Sequence, residues 1–179
     1  MKTYRYYLPF LTLLFALLFS LNSCAQGKTS HQQKMNLNAF LLKHDYVRIP
    51  LTKVATGHLH LSGTLNGIEG SFILDTGASG SIIEIKNKEK FKMTTEASER
   101  QAAGAGGSSI KMEASPKNQL KLGELLFKDK GLMMMNLDHV NGALERFRIK
   151  SVDGIIGADI LTEHEAIIDY INLALYLKK

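Results

Sequence analysis

The chain is poor in cysteine, with one Cys in the whole sequence, at position 24. That single thiol excludes an internal disulfide. The chain also lacks a long apolar run, since the longest extends only from Leu8 to Leu21. This length suits the core of an export signal and is short for a membrane-spanning helix. No repeat of fixed period is visible along the chain.

The first residues have the order of an export signal. Lys2 and Arg5 precede the apolar run, which ends in Leu-Asn-Ser-Cys at positions 21–24. A small residue followed by Cys resembles the bacterial lipobox, in which the Cys sulfur is acylated and becomes the first mature residue. The resemblance implies a signal peptide over residues 1–23, lipidation of Cys24 and a membrane-anchored lipoprotein of the cell envelope. Ordinary secretion with cleavage near Cys24 is the alternative. The absence of acidic residues directly after Cys24 favours the periplasm.

Removing residues 1–23 leaves a chain from 24 to 179, which is long enough for one domain with its own core. We predict a polar tether over residues 24–44 and a folded domain over residues 45–179. Lys2 and Arg5 leave with the leader, so the formal charge falls by two, from +5 to +3. The remaining basic residues alternate with acids, which predicts solvated faces and no nucleic-acid partner.

Short alternating segments predict a mainly β domain with one or two short helices. His58 to Leu61 alternates strictly and leads through Asn66-Gly67 to the apolar segment 68–74, which predicts a hairpin. Ala158 to Glu165 is the best helix candidate, and a short helix or strand is expected near 39–42. Further strands are predicted at 46–51, 81–84, 119–127, 132–137, 167–169 and 173–177, with a turn at 128–131. The sum is a small barrel or a sandwich.

One short segment carries the strongest chemical signal. Three apolar residues run into Asp75, and Thr76-Gly77-Ala78-Ser79 follow. A strand that delivers a carboxylate into a tight turn is expected to place it in a low-dielectric setting, where burial disfavours its charge. Gly77 lets another backbone approach, Thr76 can bridge to backbone groups, and Ser79 has a hydroxyl that can orient the carboxylate.

A second segment makes the pattern specific. Ile155-Ile156-Gly157 lies far downstream of Asp75, directly before the predicted helix. Together with the Asp-Thr-Gly triplet, it resembles the retropepsin-like, retroviral-type aspartic proteases of clan AA over roughly 46–177. The resemblance implies a small closed acid-protease barrel. It also implies that Ile155, Ile156 and Gly157 thread beside the Asp75 loop and support it.

A glycine-rich segment lies between the two motifs. The resemblance implies that Gly104, Ala105, Gly106 and Gly107 form a flap, a hairpin that closes over bound peptide. A phosphate cradle is the competing interpretation. It fails because no Gly-Lys-Ser/Thr follows and no helix begins after the loop. A plain flexible loop remains the other alternative.

The chain holds a single Asp-Thr-Gly triplet, whereas the implied chemistry needs two carboxylates. At ~4 Å and an effective dielectric of about 20, two such charges repel by roughly 4 kcal/mol. That energy corresponds to about three pK units, so the pair shares one proton. We therefore expect Asp75 of a second copy to complete the site in a homodimer. Asp153 and Asp159 are weaker alternatives, since they are interpreted as a turn residue and a helix cap.

The remaining polar signals are weak. His58 and His60 share a strand face, and an exposed face is favoured over a metal site because no third ligand is evident. The sequence Glu163-His164-Glu165 lacks the second His of a zinc-protease motif. His139 is interpreted as a loop residue. Met133 to Met135 are interpreted as residues of the core rather than as the lining of a substrate groove. No metal and no cofactor is expected.

The sequence thus predicts an aspartic endopeptidase that hydrolyses peptides or proteins with an activated water. The alternative from another class is a catalytically inactive lipoprotein that binds a peptide or partner on the same fold. A structural envelope protein is a third option, with only the lipid anchor in its favour.

Overall fold

The computed structural model describes residues 36–103 and 109–179. Its helices are α1 (Leu37–Lys43), α2 (Asp138–Arg146) and α3 (Ala158–Glu163). Its strands are β1 (Tyr46–Pro50), β2 (Thr52–Lys53), β3 (Leu59–Leu65), β4 (Ile68–Leu74), β5 (Ile82–Glu84), β6 (Glu96–Ala103), β7 (Ser109–Leu122), β8 (Leu125–Met135), β9 (Gly154–Ile156), β10 (Ile167–Asp169) and β11 (Ala174–Lys178). No helix in these ranges combines the length and the apolar character needed to cross a bilayer.

Six of the strands close into a barrel. β3 and β4 are antiparallel, β4 pairs in parallel with β9, and β9 pairs antiparallel with β5. β5 then pairs in parallel with β8, and β8 is antiparallel to β7. β7 returns to β3 through Thr64↔Lys121 and Leu65↔Leu120. This closure confirms the predicted mainly β closed barrel with few short helices.

The barrel interior is filled by alternating residues of its strands, which explains why the sequence pattern predicted strands. Leu65 of β3, Phe72 of β4, Leu120 of β7, Met134 of β8 and Ile156 of β9 are fully buried in one cluster. Met134 and its buried neighbour Met135 thus contribute to the core, as predicted.

A second, smaller sheet has the strand order β1-β11-β10. β11 is antiparallel to both neighbours, with Tyr46↔Lys178 on one side and Ile167↔Tyr176 on the other. Helix α1 packs on this sheet because its one buried residue, Leu41, contacts Ala174 and Tyr176. α1 lies within the range predicted as tether, although its Leu41 contacts belong to the folded domain.

The predicted β3–β4 hairpin is confirmed. Its turn residues Asn66 and Gly67 both have positive φ, +52° and +81°. Two consecutive residues in this region form the turn whose twist matches a two-stranded antiparallel ribbon, and Asn-Gly tolerates it best.

The predicted turn at 128–131 is wrong. The turn lies at Gly123 and Glu124, where Gly123 has φ +58°, and β8 continues from Leu125 through Met135. The polar residues Lys128 and Asp129 are exposed and lie at a β-bulge of this strand, where Asp129 has φ +51°. Polar residues are typical of turns, but here they occur because this part of the strand is exposed to water.

Helix α2 was not predicted, and the interpretation of His139 as a loop residue is wrong because it lies in this helix. Leu144 is buried against Ile73 and Val152, and Val140 packs beside it. The spacing of Val140 and Leu144 is the helical signal that was available. It is weak because Asn141 and Gly142, both poor helix formers, lie between them.

Candidate active site

Asp75 directly follows β4, at the point where the strand leaves the barrel. β4 and β9 run in parallel with Leu74 opposite Ile156, and the Asp75 amide donates to the Ile156 carbonyl at 3.0 Å. The last backbone hydrogen bond of the parallel pair therefore fixes the position of Asp75. The structure thus brings together the two motifs that lie far apart in the sequence.

The Asp75 carboxylate is held by its own turn. The Gly77 amide donates to Asp75 Oδ1 at 2.8 Å, and the Ala78 amide donates to the Asp75 carbonyl at 3.3 Å. Asp75, Thr76 and Gly77 are all exposed. The expectation of a buried, low-dielectric carboxylate is therefore wrong for a single chain, because the turn carries Asp75 beyond the apolar layer that ends at Leu74.

The predicted orienting role of the Ser79 hydroxyl is not seen. Among the described residues the donor to the Asp75 carboxylate is the Gly77 amide, and Ser79 is exposed. The hydroxyl that is engaged belongs to Ser81, two residues further on. Ser81 is 2% exposed, so its hydrogen bonds are made inside the protein.

Ser81 joins the end of the Asp75 loop to the start of α3. Its Oγ donates to Asp159 Oδ1 at 2.7 Å and accepts from the Gly157 amide at 3.0 Å. The Ala158 amide donates to the Ala78 carbonyl at 2.8 Å. The interpretation of Asp159 as the helix cap is wrong, because Gly157 holds that position and no side chain caps the helix. The Ser81–Asp159 pair escaped the sequence analysis because nothing local links two residues 78 positions apart.

The β9 segment passes between two strands at very close range. A Cβ on Gly157 would lie 2.6 Å from the backbone carbonyl atoms of Gly80 and 2.8 Å from the Ala78 oxygen. A Cβ on Gly154 would lie 2.4 Å from the Ile82 oxygen. Any larger residue would collide with backbone that cannot move aside. Glycine at both positions is thus required for the loop and the strand to pack.

The interpretation of Asp153 as a simple turn residue is incomplete, because its carboxylate accepts three hydrogen bonds. Its Oδ2 accepts the Ser71 amide at 2.9 Å, and its Oδ1 accepts Asn87 Nδ2 at 2.8 Å and Lys90 Nζ at 2.5 Å. Ser71 lies four residues before Asp75, which corresponds to about 13 Å along a strand. Asp153 therefore anchors β9 to β4 at a distance from Asp75 and does not form a carboxylate pair with it.

Apolar side chains lie next to the Asp75 turn. Ala78 of the loop and Ile82 of β5 are partly buried against Ile155, Met135 and Leu137. Met112 of β7 and Val140 of α2 pack against the same three residues. The loop after Asp75 is thus packed against an apolar cluster whose outer members are only partly buried.

The predicted flap residues Gly104, Ala105, Gly106 and Gly107 lie outside the described residues. The two strands that lead to them, β6 and β7, form an antiparallel pair in which Ala103 is opposite Ser109. A β-bulge interrupts this pair between Ala97 and Gln101. The structure thus describes the paired strands on either side of the glycine-rich segment and leaves the flap a prediction.

The prediction of an exposed strand face holds for the exposure of His58, which directly precedes β3, and is wrong for His60. His58 is exposed and bonds Thr56, but His60 is only 9% exposed, and burial followed by the nearby His58 lowers the pKa of His60. His60 Nε2 has no hydrogen-bond partner within residues 36–103 and 109–179. In the same ranges no cluster of three or more His, Cys, Asp or Glu is placed to hold a metal ion.

The other polar candidates are engaged in surface contacts. Asp138 accepts from Lys86 and Asn136, and these hydrogen bonds lower the pKa of its carboxyl. Glu163 accepts from Lys130 at 2.6 Å, which lowers the pKa of Glu163. His164 Nδ1 lies 2.7 Å from the Lys178 carbonyl. None of these contacts leads to the Asp75 turn.

Comparison with known protein families gives one match, to the sequence model described as aspartyl protease, over residues 61–160. The matched segment covers more than half of the chain and contains both motifs. The chain belongs to the aspartyl protease family. A comparison of this family member with curated proteins gives no match.

Several solved structures are similar to this family member. The protease of EIAV, complexed with the inhibitor HBY-793, is 18% identical and covers 63% of this chain and 92% of its own, with a TM-score of 0.47. A retropepsin-like aspartic protease from Rickettsia conorii is 16% identical and covers 74% and 89%, with a TM-score of 0.48. The retroviral protease-like domain of Ddi1 from Leishmania major is 17% identical and covers 67% and 94%, with a TM-score of 0.43.

Proposed function

We propose that this chain is an aspartic endopeptidase whose site consists of Asp75 from each of two identical subunits. The observation that carries the proposal is the turn geometry. The Asp75 backbone is tied to Ile156, its Oδ1 accepts the Gly77 amide, and the carboxylate faces solvent at the end of a rigid strand. An accessible carboxylate in a fixed position is what a general acid or base requires.

Two further observations favour a second subunit over a partner in the same chain. The Asp159 carboxylate accepts the Ser81 hydroxyl, and the Asp153 carboxylate accepts three donors near Ser71. Both groups already have structural roles. A two-fold axis at the Asp75 turn brings in an equivalent carboxylate and removes both from water.

The proposed chemistry uses one shared proton. The ionised Asp75 accepts a proton from water as the water oxygen bonds to the peptide carbonyl carbon, and the protonated Asp75 donates to the carbonyl oxygen. The resulting diol collapses when the Asp75 that is now protonated donates to the peptide nitrogen, the other Asp75 accepts a proton from a diol hydroxyl, and the C–N bond breaks. A carboxylic acid and an amine leave, and the pair again holds one proton.

The surroundings support an extended peptide as substrate. The partly buried apolar side chains Ala78 and Ile82 lie in the loop after Asp75 and in the strand that follows it. Strands β6 and β7 lead to residues 104–107, which we propose form the hairpin of the flap. Backbone hydrogen bonds from such a hairpin bind a peptide in extended form, while the apolar side chains contact those of the peptide.

We also propose that the protein is anchored in the bacterial envelope by a lipid on Cys24 and faces the periplasm. The support is the signal-like order of residues 1–23 and the lone Cys that follows them. Anchoring restricts the subunits to a plane, which raises their effective concentration and favours pairing.

The Asp75→Asn variant tests the catalytic proposal, with Asp129→Asn as the matched control. Asp129 is exposed in β8, so the control makes the same chemical change away from the site. We expect cleavage of a peptide library, followed by mass spectrometry, to be lost in the first variant and kept in the second. Equal cleavage by both variants would overturn the proposal. A wild type that binds peptides and leaves all of them intact would make the chain a binding protein.

A further inference from the structure

Exposed apolar side chains are concentrated in one part of the domain. Seven large apolar side chains of the described residues are exposed, and five of them belong to α1 and to the turn between β10 and β11. The other two, Leu126 and Phe147, lie on separate elements. We call the five residues the apolar rim: Leu37, Phe40, Leu42, Tyr170 and Ile171.

The turn holds its part of the apolar rim rigidly in solvent. Asp169 Oδ1 accepts the amides of Ile171 and Asn172 at 3.0 and 2.8 Å, and its Oδ2 accepts Asn172 Nδ2 at 2.7 Å. Tyr170 is 64% and Ile171 93% exposed. Three hydrogen bonds fix the conformation of this turn, and in that conformation both side chains point into solvent.

The two parts of the apolar rim adjoin the same small sheet. Leu41, on the inner side of α1, packs on Ala174, and Ala174 directly follows the turn that ends at Leu173. Tyr176 Oη donates to Asn38 Oδ1 of the same helix at 3.2 Å. Helix and turn are therefore neighbouring elements of the domain.

The covalent chain indicates which partner this is. Leu37 is the first residue of α1, and only the segment 25–36 separates it from Cys24, the proposed lipid attachment site. A connection of that length spans at most about 45 Å even when fully extended. The element of the domain that is nearest to the anchor along the chain is therefore one that exposes apolar side chains.

We propose that the apolar rim is a membrane-docking surface that inserts into the headgroup region of the bilayer holding the anchor. The proposal rests on the lipid anchoring proposed above and is independent of the Asp75 chemistry. Tyr170 suits the interface because it has an apolar ring and a polar hydroxyl, and Ile171 suits the acyl boundary. Arg48 donates to the Asn172 carbonyl at 3.5 Å and lies near the Asp169 carboxylate, so a cation borders the turn.

The lone Cys makes a direct experiment practical. An Ile171→Cys variant of the full chain is expressed in membranes, where acylation of Cys24 leaves one reactive thiol for an environment-sensitive fluorophore. Leu126→Cys is the matched control, since Leu126 is also apolar and is 44% exposed. The purified proteins are placed in vesicles of phosphatidylethanolamine and phosphatidylglycerol, with and without brominated acyl chains. Mass spectrometry reports the lipid on Cys24 separately.

We expect the label at position 171 to shift its emission to the blue and to be quenched by the brominated lipid. The label at position 126 should keep the emission that it has in water.

Equal emission and equal quenching of the labels at the two positions would overturn the docking surface. A shift at position 171 without quenching would also overturn it, because it would place protein, such as a second copy, over the turn. A mass that shows no lipid on Cys24 would refute the anchor. If the label at position 171 is also unquenched in that sample, the docking surface is refuted as well. Cleavage by the same sample reports on Asp75 and is unaffected by these outcomes.

Discussion

The Ser81 hydroxyl donates to Asp159 at 2.7 Å and accepts the Gly157 amide at 3.0 Å, so one buried oxygen joins the loop after Asp75 to the start of α3. The backbone bond from Ala158 to Ala78 runs beside it. This double link supports the Asp75 loop in addition to the bond between Asp75 and Ile156. The residues that support the loop are thus as far apart in sequence as the two motifs themselves.

The Ser81→Ala variant should lose stability because it leaves the buried Gly157 amide and an Asp159 oxygen without a partner. An unsatisfied buried polar group costs about 1–3 kcal/mol. Urea unfolding should show a loss of that size, and peptide cleavage should fall with it. The control is Ser79→Ala, which changes an exposed serine of the same loop and should stay within ~0.5 kcal/mol of wild type. Equal losses in the two variants would remove the special role of Ser81.

The Gly157→Ala variant should be strongly destabilised, on the order of 3 kcal/mol, because its Cβ would overlap the Gly80 backbone. Gly142→Ala, in α2, is the matched control, since a Cβ there meets nothing within 4 Å. That control should gain about 0.5–1 kcal/mol from the better helix propensity of alanine. Thermal unfolding followed by circular dichroism measures both changes. A stable Gly157→Ala protein would contradict the close approach of β9 and the Asp75 loop.

Mixing subunits tests whether the site needs two chains. Random pairing of wild type with an equal amount of Asp75→Asn protein leaves a quarter of the pairs fully wild type. The activity of a fixed amount of wild type should then fall to about half, since half of its chains are paired with an inactive partner. Adding the Asp129→Asn control instead should not lower the activity. Undiminished activity in the Asp75→Asn mixture would mean that each chain works alone.

Acid should weaken the fold through His60. Burial lowers the pKa of His60, so the folded state prefers the neutral ring. As the pH falls below about 6.5, the unfolded chain takes up the proton more readily, and the free energy of unfolding decreases. The His60→Leu variant lacks this contribution and also removes the unpartnered Nε2. Urea unfolding at pH 7.5 and 5.5 should therefore show a smaller loss for the variant than for wild type. A difference between the two proteins that stays the same at both pH values would contradict this.

The local patterns predicted much of the barrel. The alternation in β3 and β4 and the Asn66-Gly67 turn were sufficient for the hairpin, because these signals depend only on neighbours in sequence. The resemblance of the Asp-Thr-Gly and Ile-Ile-Gly motifs to those of the retropepsin-like proteases implied that residues 155–157 would lie beside the Asp75 loop. The pairing of Leu74 with Ile156 agrees with that prediction.

What the sequence could not reveal depends on tertiary contacts. Helix α2 forms because Leu144 finds Ile73 and Val152, although Asn141 and Gly142 disfavour a helix. Asp153 resembles a turn residue in the sequence, but in the structure it accepts hydrogen bonds from Ser71, Asn87 and Lys90. Strand alternation predicts on which face of β3 His60 lies. It does not predict whether another part of the chain covers that face. In each case the deciding neighbour is distant along the chain.

The pairing of β1 with β11 places both ends of the domain side by side. Tyr46 is opposite Lys178, and the Lys179 amide donates to the Asp45 carbonyl at 2.9 Å. A reporter or affinity tag added after Lys179 would thus emerge beside Asp45, where the chain passes from α1 into β1, and a bulky tag would strain the pairing of β1 with β11. The β7–β8 turn at Gly123 and Glu124 is a better insertion point, because it is exposed and belongs to neither end.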